Sequence, residues 1–229
     1  MASLFNLAGV AAVACLALAA PATAQNYVAN PSFENPALAP GDSTFGAIPD
    51  WTGSLSGLFP FGIGSERAEL MTPTGSQWAY TNGPNALAQQ TTKAVVANEV
   101  YELTAEFGQR TDNPAFTPSL ELWVGGAVTA GGVVGGTRVG VQSVTPVAGQ
   151  FAPAKVRWTA PAGGPRIGQR LTVRLVSSSG GQANYDNVSL TATPGVAPVP
   201  TLSEWAMILF AAMLGGGASL YLQYRRRLA

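Results

Sequence analysis

Two carboxylates near opposite ends of the chain are the residues best placed to do chemistry. Glu34 closes the run Asn30-Pro31-Ser32-Phe33-Glu34, and Asp186 sits in Tyr185-Asp186-Asn187-Val188-Ser189-Leu190. Oxygen-only donors suit a hard cation. If the first and last strands of the fold lie side by side, Glu34 and Asp186 would share one Ca²⁺, with backbone carbonyls completing about six to eight oxygens. The cation would also offset the repulsion between the two charges. The plainer alternative is that Glu34 caps a turn and Asp186 pairs with an arginine. Asn30, before Pro31, is a weaker candidate that reads as a turn residue. Phe33, Val188 and Leu190 read as core.

A second constellation is aromatic. Trp51, Trp78 and Tyr80, with Gln77, Asn82 and Arg110 supplying hydrogen bonds, have the composition of a site that stacks rings on sugar faces and binds the hydroxyls. The alternative is that these aromatics are core or loop anchors, since aromatic side chains dominate burial in sandwiches. Other chemistry is excluded by absence. The chain has no histidine, and its one cysteine, Cys15, lies in the amino-terminal apolar run. A Ser-His-Asp triad, a Cys-His nucleophile pair and a typical zinc site all need residues that the mature chain lacks.

The elements that must position these groups follow from composition. Of 229 residues only 10% are charged, while Gly (27) and Pro (17) are abundant. That favours a β-rich fold with many turns. Acidic and basic residues balance at 12 each, and 9 of the 12 basic ones precede the tail. No basic patch or stripe is visible, so nucleic acid is not an expected partner.

Residues 1–24 read as a secretory signal peptide, with an apolar run over Leu7–Ala20 and a small-residue cleavage site at Ala22-Thr23-Ala24. A lipoprotein reading through Cys15 leaves that site unexplained. Residues 25–194 form the main domain. Strands are expected at Asn26–Phe33, Ile48–Thr52, Gln77–Thr81, Ala86–Thr92, Leu120–Val124, Val139–Val144, Ala154–Thr159, Leu171–Val176 and Asn184–Thr191. The clearest is Val100–Gln109, where Tyr101, Leu103, Ala105 and Phe107 face one way. Ser54–Gly64 reads as a long loop and Gly125–Gly136 as a flexible glycine-rich segment. Many short strands between Gly/Pro turns predict an all-β sandwich.

Residues 195–201 are a proline-rich linker running into Val199-Pro200-Thr201-Leu202-Ser203-Glu204-Trp205. Residues 202–229 then carry an apolar span ending at Arg225-Arg226-Arg227. Leu202 to Tyr224 at about 1.5 Å per residue covers roughly 34 Å, enough for one transmembrane helix. Three arginines after the span hold that end in the cytoplasm and place the upstream domain outside the inner membrane.

The tail resembles the IPTL-CTERM sorting signal of Gram-negative bacteria, with Val199 where isoleucine is usual. That resemblance implies an exosortase-type sorting enzyme as partner, an inner-membrane-anchored intermediate, and delivery to the cell surface or extracellular matrix. The Asn30–Glu34 and Tyr185–Leu190 motifs resemble the jelly-roll domains of galactose-binding-like and carbohydrate-binding modules. A closer resemblance is to the hapalindole-type Stig cyclases and their bacterial relatives. It rests on Asn30–Pro36, Ile48-Pro49-Asp50-Trp51, Gln77-Trp78-Ala79-Tyr80, Gln89-Gln90, Tyr101–Arg110 and Asn184–Leu190. It implies a calcium-binding jelly roll and, for the characterised members, cyclisation of terpenoid indoles by an acidic residue in an aromatic pocket. Aromatics for such a pocket are Trp51, Phe59, Phe61, Trp78, Tyr80, Phe107 and Trp123; acids are Asp186, Glu106 and Asp112. Residue 184, on the same strand face as Asp186, is an amide with no proton to give. No catalytic residue is assigned and the reading leans away from an enzyme. The expected function is an exported surface or matrix protein with a calcium-binding, carbohydrate-binding-like sandwich that meets polysaccharide. The alternatives are a non-catalytic structural surface protein and a Stig-cyclase-like enzyme acting on a hydrophobic small molecule.

Overall fold

The structure, a computed structural model, describes residues 25–53, 61–130, 132–177, 181–195 and 202–228. The expected signal peptide over residues 1–24, Phe59 and the Val199-Pro200-Thr201 part of the sorting motif lie outside the described residues. In chain order the strands are β1 Thr52–Gly53, β2 Phe61–Ser65, β3 Gln77–Asn82, β4 Ala86–Ala94, β5 Val100–Gln109 and β6 Pro118–Val124. They continue as β7 Ala127–Thr129, β8 Gly132–Val134, β9 Thr137–Ser143, β10 Gln150–Thr159, β11 Arg170–Ser177 and β12 Gln182–Thr193. One antiparallel sheet runs β1-β4-β11-β6-β9 and the other β10-β5-β12-β3-β2. The two pack face to face as a jelly-roll sandwich, and β7 and β8 pair as a separate hairpin.

Strict alternation builds the core. Tyr101, Leu103, Ala105 and Phe107 of β5 are all buried, and they meet Leu120, Leu122 and Val124 of β6 and Leu171, Val173 and Leu175 of β11. On β12 the alternation changes phase. Ala183 and Tyr185 face the core, but so do Val188 and Leu190, which have the opposite parity. A β-bulge between Asp186 and Ser189 inserts one extra residue against β5, and Asn187 there adopts φ +52°. Asparagine tolerates this left-handed backbone, and the extra residue swaps which side chains point inward.

Four expectations change. The expected strand Ile48–Thr52 is a tight turn closed by Trp51 N–H on Ile48 O (3.0 Å), and only Thr52–Gly53 pair as β1. Residues 26–33 are not a strand. They run as an irregular segment beside β12, held by Tyr27 N–H to Leu190 O (2.9 Å), Val188 N–H to Pro31 O (2.8 Å) and the Asn26 side chain on Val188 O and Leu190 N–H. The two ends of the domain therefore do meet. The expected loop Ser54–Gly64 contains the start of β2, whose Gly62 and Gly64 hid a buried edge strand. The glycine-rich Gly125–Gly136 segment carries the β7–β8 hairpin.

Helix α1 spans Leu202–Leu228, and within it Ala206–Arg227 (22 residues, mean hydropathy 1.5) is long and apolar enough to cross a membrane. Its last turn holds Arg225, Arg226 and Arg227.

Candidate functional site: a pocket and a carboxylate pair on one sheet face

The site lies on the face of the β10-β5-β12-β3-β2 sheet that points away from the core. Alternation on β3 sends Ala79 inward and Trp78 and Tyr80 outward, where they form a small cluster with Leu70 and the edge of Phe151. Opposite them on β2 stand two glycines, Gly64 in register with Trp78 and Gly62 with Tyr80. A Cβ on Gly64 would sit 3.4 Å from the Trp78 ring. The absence of side chains there lets both rings lie down on the sheet. β12 adds Gln182, Asn184 and Asp186 to the same outward face.

A cavity of about 190 Å³ opens at one end of this face, lined by Ser43, Phe45, Gly64, Arg67, Trp78, Tyr80, Asn82, Arg110 and Gln182. It is smaller than the ~300–1,000 Å³ that encloses a drug-sized ligand. It therefore fits one ring of a molecule that continues into solvent. Its polar groups are ordered in a chain. Arg110 grips Asp112 through Nε (2.8 Å) and Nη2, and its Nη1 reaches Gln182 Oε1 (3.4 Å); Gln182 Nε2 donates to Asn82 Oδ1 (3.1 Å). The Tyr80 hydroxyl donates to Thr44 O (2.7 Å). Burial pushes Tyr80 up to about 12, with the Arg67 charge opposing the rise, so it stays a neutral donor. The Trp78 indole Nε1 is buried with no partner.

At the other end, the connection between β2 and β3 folds back over the sheet. Glu66 and Ser76 close it (N–H to O, 2.9 Å), and Thr72 ties it internally through Glu66 Oε1 (2.6 Å). This connection brings the two predicted carboxylates together. Glu34 Oε1 accepts from Ser76 N–H (2.8 Å) and Gln77 N–H (2.9 Å). Asp186 Oδ2 accepts from Thr74 Oγ1 (3.3 Å), and its Oδ1 accepts from Asn187 N–H (2.6 Å). Gly75 lies between, at φ +66°, and a Cβ there would fall 2.2 Å from Glu34 Oε1, so a side chain would displace the Glu34 carboxylate from its two N–H donors. Asp186 is fully buried and has no ion-pair partner among the described residues. Burial pushes its carboxyl up to about 7; hydrogen bonds from Asn187 and Thr74 pull it back, and the Glu34 charge pushes it further up. Glu34 thus caps a turn, as one expectation had it, while Asp186 takes no arginine.

The remaining sequence candidates separate. Trp78, Tyr80 and Arg110 share the pocket. Trp51 does not: it packs against Phe33 (ring centroids 5.2 Å apart), its indole N–H reaching Asn30 O (3.3 Å). Phe61 and Phe107 are in the main core. Trp123 lies on the other sheet, donating to Glu121 Oε2 (2.8 Å). Glu106 is opposite Asp186 in register, and the Arg110 guanidinium holds the Asp112 carboxyl below its usual range. Asn184 donates to Gly108 O (3.0 Å) and leaves its Oδ1 buried and unpartnered. Sequence reasoning missed Arg67, Phe45 and Ser43, which stand in connections with no periodicity to mark them. It also missed the stapling role of two glutamines. Gln77 Nε2 donates to Phe33 O (2.7 Å) and Pro36 O (2.9 Å), and Gln89 brackets Ala29 through both its N–H (2.7 Å) and C=O (2.9 Å).

Comparison with known proteins bears on the whole chain. Residues 24–191 match the HpiC1-like family, described as HpiC1 cyclase, and residues 197–227 match the IPTL-CTERM motif. No curated protein registers as a sequence match. The fold is similar to that of the Stig cyclase Fisc from Fischerella sp. TAU, crystallised with (3Z)-3-(1-methyl-2-pyrrolidinylidene)-3H-indole. The TM-score is 0.64 at 22% identity, covering 76% of this chain and 100% of that one. A cyclase from the same organism bound to 4-(1H-indol-3-yl)butan-2-one gives a TM-score of 0.62 at 22% identity, covering 73% and 96%. TmCBM61 in complex with β-1,4-galactotriose gives 0.49 at 14% identity, covering 74% and 99%.

Proposed function

The chain belongs to the HpiC1-like cyclase family, and from that premise we propose that it serves as an exported sugar-binding module rather than a cyclase. The observation that carries this is the lining of the pocket. Guanidinium, amide and hydroxyl groups surround Trp78 and Tyr80, and no carboxyl is among the lining residues. A cyclising proton donor needs a poised acid within reach of the substrate. On β12 the position nearest Tyr80 in register is Asn184, an amide. The buried acid, Asp186, lies under the Thr74–Ser76 turn instead.

Asp186 and Glu34 are proposed to hold one structural Ca²⁺. Two carboxylates that meet at three consecutive residues, one of them buried without a cation, fit a hard ion. The described residues hold no cluster of three or more His, Cys, Asp or Glu, so backbone and water oxygens would complete the shell. The tail supplies the address. As an IPTL-CTERM signal it would be processed by an exosortase-type enzyme, releasing the domain to the surface or extracellular matrix of a Gram-negative bacterium, where polysaccharide is at hand.

The test is a glycan array probed with the full chain in polyoxyethylene-ether micelles, with and without EGTA. Specific binding that weakens in EGTA is the expected result. Absence of binding to every glycan would overturn the sugar-binding function. A melting temperature indifferent to EGTA would overturn the calcium site, because an ion bound only by the native state must raise it.

A further inference from the structure

The pocket carries a charge imbalance that binding a neutral sugar does not require. Two guanidiniums line it. Arg110 is neutralised by Asp112. Arg67 donates to the Gly41 carbonyl (3.1 Å), and among the described residues it has no carboxylate within ion-pair distance. A second polar group of the lining, Trp78 Nε1, is an unpartnered donor on a side chain only 1% exposed. Both of these donors ask for an acceptor, and Arg67 asks for a negative charge. A neutral ring seated here would strip water from Arg67 and return no opposite charge, which is costly for a partly buried cation. One uncompensated guanidinium matches one negative charge, and its planar fork matches a carboxylate.

Resting on the sugar-binding reading above, we propose that the pocket selects a carboxylate-bearing sugar. A hexuronate residue would place its carboxylate on Arg67 and its ring against Trp78 and Tyr80. The natural ligand would then be an acidic polysaccharide, met through one uronate at a time, as the small open cavity allows.

The test compares tetragalacturonate with its carboxyl-reduced neutral counterpart, and a glucuronate tetramer with its glucose counterpart. Binding of each to the full chain in polyoxyethylene-ether micelles is measured by calorimetry at low and high salt. The acidic member of at least one pair should bind about tenfold or more tightly, as one charge-assisted hydrogen bond supplies. The advantage should shrink at high salt. Arg67→Gln should erase it and Arg67→Lys retain part of it, with melting temperatures unchanged as evidence that both variants fold. Equal affinity within both pairs would overturn the selection of an anion and leave sugar binding standing. An advantage that survives Arg67→Gln would overturn the role of Arg67. Failure of all four oligosaccharides to bind wild-type protein would overturn the uronate proposal, while sugar binding itself falls only if no glycan on the array binds.

Discussion

Replacing Gln77 with leucine removes the hub that fastens the Glu34 segment to the sheet. The side chain is 1% exposed, yet it makes three hydrogen bonds. Its amide donates to Phe33 O and Pro36 O, and its carbonyl accepts from Leu38 N–H. Leucine fills a similar volume, so the loss is almost wholly polar. The Phe33 carbonyl is enclosed, so its orphaning brings the full penalty of about 1–3 kcal/mol for an unsatisfied buried group. Pro36 is exposed and Leu38 half-buried, so water replaces those partners at smaller cost. The expected destabilisation is about 2–4 kcal/mol, or a melting temperature roughly 5–15 °C lower for a domain of this size. Urea unfolding of the full chain in micelles, followed by tryptophan fluorescence in EGTA, measures it free of any metal contribution. Gln90→Leu is the control: Gln90 is exposed, donates only to Gly126 O, and should change stability by less than about 0.5 kcal/mol. If Gln77→Leu falls within that same margin, the segment bearing Glu34 is held by something other than Gln77.

Three further perturbations probe the site and its supports. Asp186 has a folded-state value near 7 against an ordinary 3.8, so in EGTA its contribution is fully present below about pH 4 and is lost as pH rises through about 7, a change of up to about 4 kcal/mol. The stability difference between wild type and Asp186→Asn in EGTA should follow that slope, and a difference that is flat or of opposite sign between pH 4.5 and 7.5 refutes it. Gly64→Val should weaken glycan binding at least about tenfold, because Gly64 lines the cavity and a side chain there meets the Trp78 ring from 3.4 Å; undiminished binding in a folded variant places the ligand elsewhere. On the opposite sheet, Glu121 is 5% exposed and bonds Arg138 (2.8 Å), Arg174 (3.0 Å) and Trp123 (2.8 Å). Although burial pushes its carboxyl up, these partners hold it below the usual range. Glu121→Gln removes the charge between a half-exposed Arg138 and a more enclosed Arg174 and should cost about 1–2 kcal/mol in chemical denaturation, since water screens Arg138, with glycan binding unchanged.

What the sequence revealed follows the physics of alternation. β5 was legible from end to end because every second residue is a large apolar group on a half-buried strand. Trp78, Tyr80 and Arg110 were legible as a group because two lie on one strand face and the third follows the most regular strand. Trp51 has the same chemistry as Trp78, and only the tertiary fold decides that one ring fills the core and the other floors a pocket. β2 was hidden because its two glycines look like loop signals, although their purpose is to make room for two rings on the neighbouring strand. That Glu34 and Asp186 come to the same turn was expected from the end motifs. Their anchor at Thr74–Ser76 was not, because Pro73 and Gly75 signal a turn but not that it folds back over the sheet. The bulge at Asn187 is visible only in retrospect, as the point where the inward parity of β12 changes.

That turn also joins the two halves of the site. The single connection from Glu66 to Ser76 carries Arg67 at the pocket and Thr74 and Ser76 at the carboxylates, with Leu70 pressed into the sheet between them. Closed by the Glu66–Ser76 bond and the Thr72–Glu66 tie, it is a short, internally braced unit. Displacing one end of such a unit displaces the other. With no ion present, burial and, to a lesser degree, the Glu34 charge disfavour an ionised Asp186 beneath the Thr74–Ser76 end. An ion bound there would hold both carboxylates ionised, fix the Thr74–Ser76 end and with it Arg67 in the pocket lining, without touching the ligand. Calcium would then influence sugar affinity through preorganisation of one loop. In that case EGTA and Arg67→Gln act on the same selectivity: once the ion is removed, most of the effect of the substitution should already have been lost.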